Sequence, residues 1–458
     1  MSFDPTLAAI RFGTGLSVHL LPPVAVAAML DMVTGPDLAA DAFPIPLSAD
    51  AEPRLADFRA LSRARRAAVG TDQQADIETA YRDIRIAART ARLGFFQATL
   101  ARGVATQDGL RERLMLFWAD HFTVRARDAF ATYLVAPYAA DAIRPHLTGR
   151  FADMLKAVVV HPMMLVYLDQ TRSMGPNSPA AQRRDRGLNE NLARELLELH
   201  TVGVNGPYTQ DDVRELAELL TGLVWHPDSG FAYDPRHAEP GAETVLGVTY
   251  GQDSSLETVF AVLEGIAAHP ATAQHIARKL ATHFVSDTPD PGLVASLTAV
   301  FSDTGGDLLA VTAALLNHPA AWDPTLHKVK PPFGFVQSAL RALGVPGQAI
   351  TALDLRQTER LYRLPMKVMG QTWEEPPGPD GWPEEAAAWV TPQGMAARIN
   401  WAMTMPERLM PALPDPRDFV HTALGTNPPA PVLFAAQAAE SVPEGIGLIL
   451  SSSAFHRR

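Results

Sequence analysis

The chain has no cysteine among its 458 residues. That excludes disulfides, thiolate metal sites, iron–sulfur clusters and cysteine nucleophiles together. It does not decide between cytosol and periplasm, because proteins of either compartment do without disulfides. No charge-free run of about 18 apolar residues occurs, so no membrane span is expected. The opening residues, MSFDPTLAAIRFGTGLS, place Asp4 early and lack an apolar run after basic residues. No signal peptide is therefore expected, and the expected location is cytoplasmic, with the periplasm not excluded. Conventional signatures are missing too: there is no G-x-S-x-G, no P-loop, no G-x-G-x-x-G after a strand, no HExxH and no Glu-x-x-His pair of the di-metal bundles. Positive charge is the scarcer sign, with 39 Lys and Arg against 50 Asp and Glu and a net charge of −11. General attraction to nucleic acid or anionic lipid is thereby disfavoured, and no nucleic-acid partner is expected.

What is present reads mostly as helix. Alanine is abundant, and apolar residues recur at spacings of three and four. The fold class expected is mainly α, a large multi-helical, bundle-like domain with a small β-hairpin or loop insertion. Residues 1–225 read as an N-terminal helical region, 226–252 as the insertion and 253–458 as a C-terminal helical region, one continuous domain being the alternative. With 47% hydrophobic residues a large core is available. Residues 72–102 predict a long helix whose Arg82, Arg85, Arg89 and Arg92 form one basic stripe. Such a stripe is either a solvated face pairing with acidic neighbours or a docking face for an anion. Residues 108–122 predict the next helix, and His161-Pro162 marks a helix boundary. Residues 173–185 read as a polar connector, and segments 230–233 and 244–248 suit a hairpin. Residues 374–382, EEPPGPDGW, form a rigid loop flanked by Trp373 and Trp382.

The densest chemistry lies in residues 189–222, NENLARELLELHTVGVNGPYTQDDVRELAELLTG, with seven acidic side chains, two arginines and a histidine on two predicted helices. At about 100° per residue, Leu188, Leu192, Leu196 and Leu199 share the core-facing stripe. Asn191, Glu195 and Glu198 flank it, and Glu195 lies nearest the leucines. His200 borders the opposite edge beside Asn189. Arg194 stands four residues from both Glu190 and Glu198, which favours an ion-pair ladder. A buried Glu195 would need a partner, for which His121, His161, an arginine of the basic stripe or a metal ion are candidates. Glu195 and Glu198 with a histidine from another helix would suit a divalent metal, although the cofactor stays open. A metal-free catalytic or ligand-binding carboxylate and a structural network are the other readings. Thr209 with Asp212 predicts a capping box, which accounts for both without any function. His121, after Trp118 and Asp120, is either a satisfied core residue or a ligand. Asp234, His237 and Glu239 lie close together on an expected loop, where surface polarity explains them as well as a site does.

These segments carry a resemblance. The chain resembles the bacterial family known as domain of unknown function 1800. The likeness rests on LFWADHFTV, HPMMLVYLD, the 189–222 segment, FAYDPRHAEPGAETVLG, KVKPPFGFVQSALRALG and EEPPGPDGWP, which follow one another along most of the chain. It implies a mainly helical protein, frequent genetic pairing with a sulfatase-like partner, and no established reaction. Trp118, His121, Asp169, Asn189, Glu190, Asn191, Arg194, Glu195, Glu198, Tyr208, Thr209, Asp212, Gly222, Gly381 and Trp382 match the family pattern. Departures occur where relatives commonly carry Trp-His-Asn-His-Phe and this chain has Ala119 and Asp120. They occur again where His-Asp and a later Lys are replaced by Ala238, Glu239 and Glu243.

Two classes of function follow. The chain is either an enzyme or ligand-binding protein, or a non-catalytic partner or scaffold for a sulfatase-like protein in which the polar cluster is purely structural. In the first class Glu195, Glu198 and His121 are the candidate catalytic residues, and Asn191, Arg194, Asn189, Trp118 and His161 the candidate ligand contacts.

Overall fold

The structure, a computed structural model, describes residues 3–126, 131–183, 187–226, 229–251 and 253–458. Nearly all of its regular structure is helical, and the strands are confined to two short antiparallel hairpins. The chain is thus mainly α with a small β insertion, as its sequence predicts. The helices that position the site are α1 (Gln74–Ala105), α2 (Gly109–His121), α3 (Phe151–Val160), α4 (Pro162–Tyr167), α5 (Asn191–Glu195) and α6 (Gln210–Leu219). Strands β1 (Leu223–His226), β2 (Gly230–Tyr233), β3 (Glu243–Val245) and β4 (Val248–Tyr250) follow. Helices α7 (Pro270–Phe284) and α8 (Pro332–Leu343) complete the set. No helix among the described residues is long and apolar enough to cross a membrane.

The sequence sets these boundaries by recognisable chemistry. Asp108 caps α2, its carboxylate accepting from Arg111 N at 3.0 Å. His161 caps α4 by accepting from Met163 N at 3.1 Å, with Pro162 at the first helical position. Thr209 N donates to Asp212 at 2.8 Å while Thr209 Oγ1 accepts from Asp212 N at 3.2 Å, the expected capping box of α6. The insertion differs from the single hairpin expected. β2 pairs back onto β1, Leu223 facing Tyr233, whereas the 244–248 segment folds on itself as β3 and β4. Leu246 and Gly247 both have positive φ, 51° and 78°, which is the backbone of a two-residue hairpin turn and splits that segment in two. The last residues of the connector expected at 173–185 lie outside the described residues; Ala181–Arg183 forms one 3-10 turn.

Two hydrophobic cores form. One gathers Trp118, Phe122, Phe151, Leu196, Phe284 and their neighbours; the other gathers Phe96, Phe333, Phe335, Trp401 and Phe455. Helix α1 belongs to both, with Ala88 in the first and Phe96, Leu100, Ala101 and Val104 in the second. Its alanine-rich, proline-free sequence sustains an unbroken helix between them. The carbonyls that every helix leaves unpaired at its C-terminal end need donors when buried. Here Arg341 on α8 supplies them: Nη1 donates to Val104 O at 2.9 Å and Thr106 O at 2.7 Å, while Nε donates to Gly15 O at 2.9 Å. Close approach is required where α1 meets α8, because a Cβ on Gly103 would overlap the Gln337 side-chain amide.

Replacing Arg341 with Met leaves these buried carbonyls without donors, and each such loss costs about 1–3 kcal/mol. Arg341→Met is expected to lower the urea midpoint strongly. Arg341→Lys is expected to recover only part, since an ammonium does not reproduce the guanidinium fork.

Candidate functional site

The acidic helix departs from regular α geometry at its centre. Residues Asn191–Glu195 are α-helical, but Leu196–His200 form a π turn. A π turn holds an extra residue, so the later positions shift in phase relative to a uniform helix. Leu192, Leu196, Leu197 and His200 are buried, whereas Leu199, expected in the core stripe, is half-buried. Glu195 is half-buried rather than enclosed. Among the described residues it has no hydrogen-bond or ion-pair partner, so the expected pairing with His121, His161 or the basic stripe does not form. Its carboxyl responds by holding its proton: burial first, then Glu198 and Asp380, push it up to about 7.

The neighbours of Glu195 are largely accounted for by local bonds. Arg194 bridges Glu190 at 2.9 Å and Glu198 at 3.3 Å, forming the predicted ladder, and also donates to Gln210 at 3.0 Å. Asn191 is exposed. Asn189 anchors the start of α5: its Nδ2 donates to Asp169 O at 3.2 Å, and its Oδ1 accepts from Asn191 N at 2.9 Å. Trp118 is enclosed among Phe117, His121, Phe122 and Phe151 and forms core wall. His161 sits at the α3–α4 join, its Nε2 2.8 Å from Ser48 Oγ and 3.5 Å from Asp141.

His121 does reach the acidic helix, but through the backbone. Its Nε2 lies 3.1 Å from His200 O, so Nε2–H donates and Nδ1 is left bare. The Nδ1 atoms of His121 and His200 are both buried without a hydrogen-bond partner. His275 Nε2 makes the matching contact to Leu199 O at 3.0 Å. The His121 ring lies 6.0 Å from that of His200 and 6.3 Å from that of His275. Burial, reinforced by Lys279, lowers all three imidazoles, His200 to about 3 and His275 to about 4, and His121 well below its ordinary value. All three are neutral at pH 7.

Several residues that reasoning from the sequence passed over complete the site. Helix α7 carries His275, Lys279 and His283 four residues apart, one stripe that helical spacing could have revealed in HIARKLATHF. The 373–385 loop folds against this stripe and α2. Asp120 accepts from Trp382 N at 2.9 and 3.2 Å. The approach requires Gly381, since a Cβ there would lie 2.7 Å from Asp120 O. Burial raises Asp120 to about 7, with Trp382 N–H and Lys279 opposing and Glu384 and Asp380 adding to the rise. Lys279 is lowered by burial, with Asp120, Glu384 and Asp380 opposing. Beyond it Glu384 lies 2.5 Å from His283 Nδ1, and His283 Nε2 lies 3.0 Å from Arg113 Nη2. A guanidinium only donates, so Nε2 accepts and Nδ1–H points to Glu384.

Behind Asp120 opens a cavity of about 200 Å³ between the two cores. Its wall is mostly apolar, with Met115, Val124, Val135, Phe333, Trp373 and Trp382. Its polar groups include Asp120, Arg113, His283, Glu384 and Arg458. Ala119 and Asp120, the positions at which this chain departs from the Trp-His-Asn-His-Phe pattern, both border it.

Metal-ligand geometry occurs elsewhere. Among the described residues, a group of at least three donors close enough to share one ion is Glu215, Glu218 and Glu243, whose carboxylate oxygens lie within 4.8 Å of one another. Glu195, Glu198 and His121 do not form such a group. Glu243, one of the departures noted in the sequence, thus brings a third carboxyl beside Glu215 and Glu218. Burial and the hydrogen-bonded Glu215, with Glu218, push Glu243 up to about 8. In the loop residues singled out from the sequence, Asp234 pairs with Arg236 at 2.8 Å and His237 at 3.0 Å, while Glu239 accepts from Asn177 N at 2.8 Å. Both arrangements hold the loop together.

A family profile described as "Protein of unknown function (DUF1800)" matches residues 14–457. The chain belongs to this family. No curated protein and no solved structure matches it.

The Glu243 shift carries a sign that titration can check. The folded value of about 8 exceeds the ordinary 4.5, so the protonated form is favoured by folding. Its contribution to stability is complete below about pH 4.5 and is lost as pH rises through 8. Glu243→Gln is therefore expected to match the parent chain near pH 5 and to melt higher at pH 8, by about 2 °C. Glu243→Lys should melt higher still at pH 8. Equal melting of all three at both values would contradict the like-charge account.

Proposed function

We propose that this family member binds a small, largely apolar molecule in the cavity between its cores, and that Asp120 in the cavity wall moves a proton on it. The observation that carries this reading is a titratable side chain, Asp120, set in the wall of a cavity of about 200 Å³ whose surface is mostly apolar. Enclosed apolar pockets with a few convergent polar groups are the usual form of a small-molecule site. A carboxyl near 7 is suited to give and take a proton at neutral pH, which is the requirement for general acid–base work. Asp120 is then the group nearest the ligand, and Trp382 N–H and Lys279 stabilise its charged form. Glu195, raised by burial, Glu198 and Asp380 to about 7, does not line the cavity and in this reading is a second proton carrier outside it. Glu198 acts through its charge, and neutral His121 positions the acidic helix through His200 O. Asn189, Asn191 and Arg194 do not line the cavity; Asn189 and Arg194 hold the acidic helix by the bonds described above.

A second reading makes the polar cluster structural and the chain a partner or scaffold for a sulfatase-like protein. It is favoured by the Glu190–Arg194–Glu198 ladder and the Asn189 anchor, which satisfy one another without any ligand.

Asp120→Asn keeps an acceptor for Trp382 N–H while removing the titration. Tryptophan emission is expected to show a step near pH 7 in the parent chain, abolished by Asp120→Asn and retained by Glu195→Gln. Addition of 1-octanol should shift that emission, and Ala119→Phe, which fills the cavity, should abolish the shift. Identical titrations in all variants together with no response to 1-octanol would favour the structural reading.

A further inference from the structure

The charged groups lining the cavity balance in sign, but not all are paired: Arg144 holds Glu112 and Glu374 holds Arg92, whereas Arg113 and Arg458 make no ion pair among the described residues. Arg113 and Arg458 both border the cavity and both are buried, at 4% and 3% exposure. In each, Nε has no acceptor. Among the described residues the Arg458 guanidinium makes no hydrogen bond, and its Nε is buried. Lys330 and Arg398 stand behind them, also buried; Lys330 donates to Phe455 O at 2.7 Å, and Arg398 leaves Nε and Nη1 unpaired. Burial first, then Arg458, Arg398 and Arg113, lower Lys330 to about 7, so it adds little charge at pH 7.5, and the buried Lys328 is paired with Asp287 and Glu384.

The carboxylates whose field reaches Arg458 are Glu384 and Asp287. Both are already engaged: Glu384 holds His283 at 2.5 Å and Lys328 at 3.3 Å, and Asp287 holds Lys328 at 2.5 Å. Burial lowers the affinity of the two arginines for their protons, yet a guanidinium stays charged at neutral pH. Charge buried without a partner is costly, and the cost falls when an anion shares the site.

We propose that the cavity's ligand is an amphipathic carboxylic acid, its carboxylate held by Arg113 and Arg458 and its apolar body lying against Phe333, Trp373 and Trp382. This rests on the cavity being a ligand site, as argued above, and specifies what enters it. The planar carboxylate matches the guanidinium fork in two parallel hydrogen bonds. The aromatic and aliphatic wall takes the remainder of the molecule out of water.

Octanoate and 1-octanol separate the two claims, because they share a tail and differ in the headgroup. With the full chain at pH 7.5, calorimetry is expected to show octanoate binding at least tenfold tighter than 1-octanol, and octanoate is expected to raise the melting temperature more. Arg458→Met should reduce that preference below threefold while leaving 1-octanol affinity unchanged, a pattern that general loss of structure does not produce. Should this variant fail to fold, the headgroup comparison in the parent chain decides alone. Equal affinity for the two probes would overturn the carboxylate assignment and leave the cavity reading standing. Failure of both to bind, with Ala119→Phe indistinguishable from the parent chain, would overturn both. Acetate competing as tightly as octanoate would overturn the amphipathic part.

Discussion

The contact on which the site depends is the one between Glu384, His283 and Arg113. It ties a proline- and glycine-rich loop to α7, and α7 to α2, through buried His283 and Arg113 and a partly exposed Glu384. Without it the 373–385 loop would keep Arg92 with Glu374 and Glu375, and Asp120 with Trp382 N, but its far end would lose its strongest anchor. The loop is one wall of the cavity, and this anchor, with Lys328 on Glu384, holds that wall in place. It also fixes protonation. Because Arg113 only donates, His283 takes a single tautomer, and Glu384 is held as an anion well below the usual carboxylate range by His283, Lys328 and Arg458 against its burial. The fixed negative charge of Glu384 in turn helps raise Asp120.

Much of the fold was legible in the residues. The long helix at 72–102, the helix at 108–122, the boundary at His161-Pro162 and the Thr209–Asp212 cap all depend on local chemistry, and local chemistry is what a sequence displays. The Glu190–Arg194–Glu198 ladder was legible for the same reason. The burial pattern of the acidic helix was less so. A uniform 100° step places Leu199 inward, but the π turn at Leu196–His200 shifts the phase, and no spacing rule signals where such a turn falls. His121 was traced correctly to the acidic helix, yet its partner is a backbone carbonyl, which one-letter codes do not show.

The cavity was the least legible feature, because its groups come from segments far apart in the chain. Asp120, His283, Glu384 and Arg458 acquire meaning only when α2, α7 and the loop meet. The departures from the family pattern coincide with two structural features: Ala119 and Asp120 border the cavity, and Glu243 belongs to a three-carboxylate group. The small side chain of Ala119 leaves space, and the acidic Asp120 adds a titratable group. A larger side chain at 119 would narrow the cavity, and an amide at 120 would remove one of its titratable groups.

Helix α1 runs unbroken from one core into the other and is clamped at its end by Arg341. It therefore works as a ruler. The distance between the cores, and with it the width of the space left between them, follows from the count of residues along one rigid rod. Each residue added to a helix contributes roughly 1.5 Å of length and about 100° of rotation. Evolution of the cavity's size among relatives would then proceed through side chains on its wall, since a change in the length of the rod would turn Phe96 and Leu100 away from their core before it widened anything.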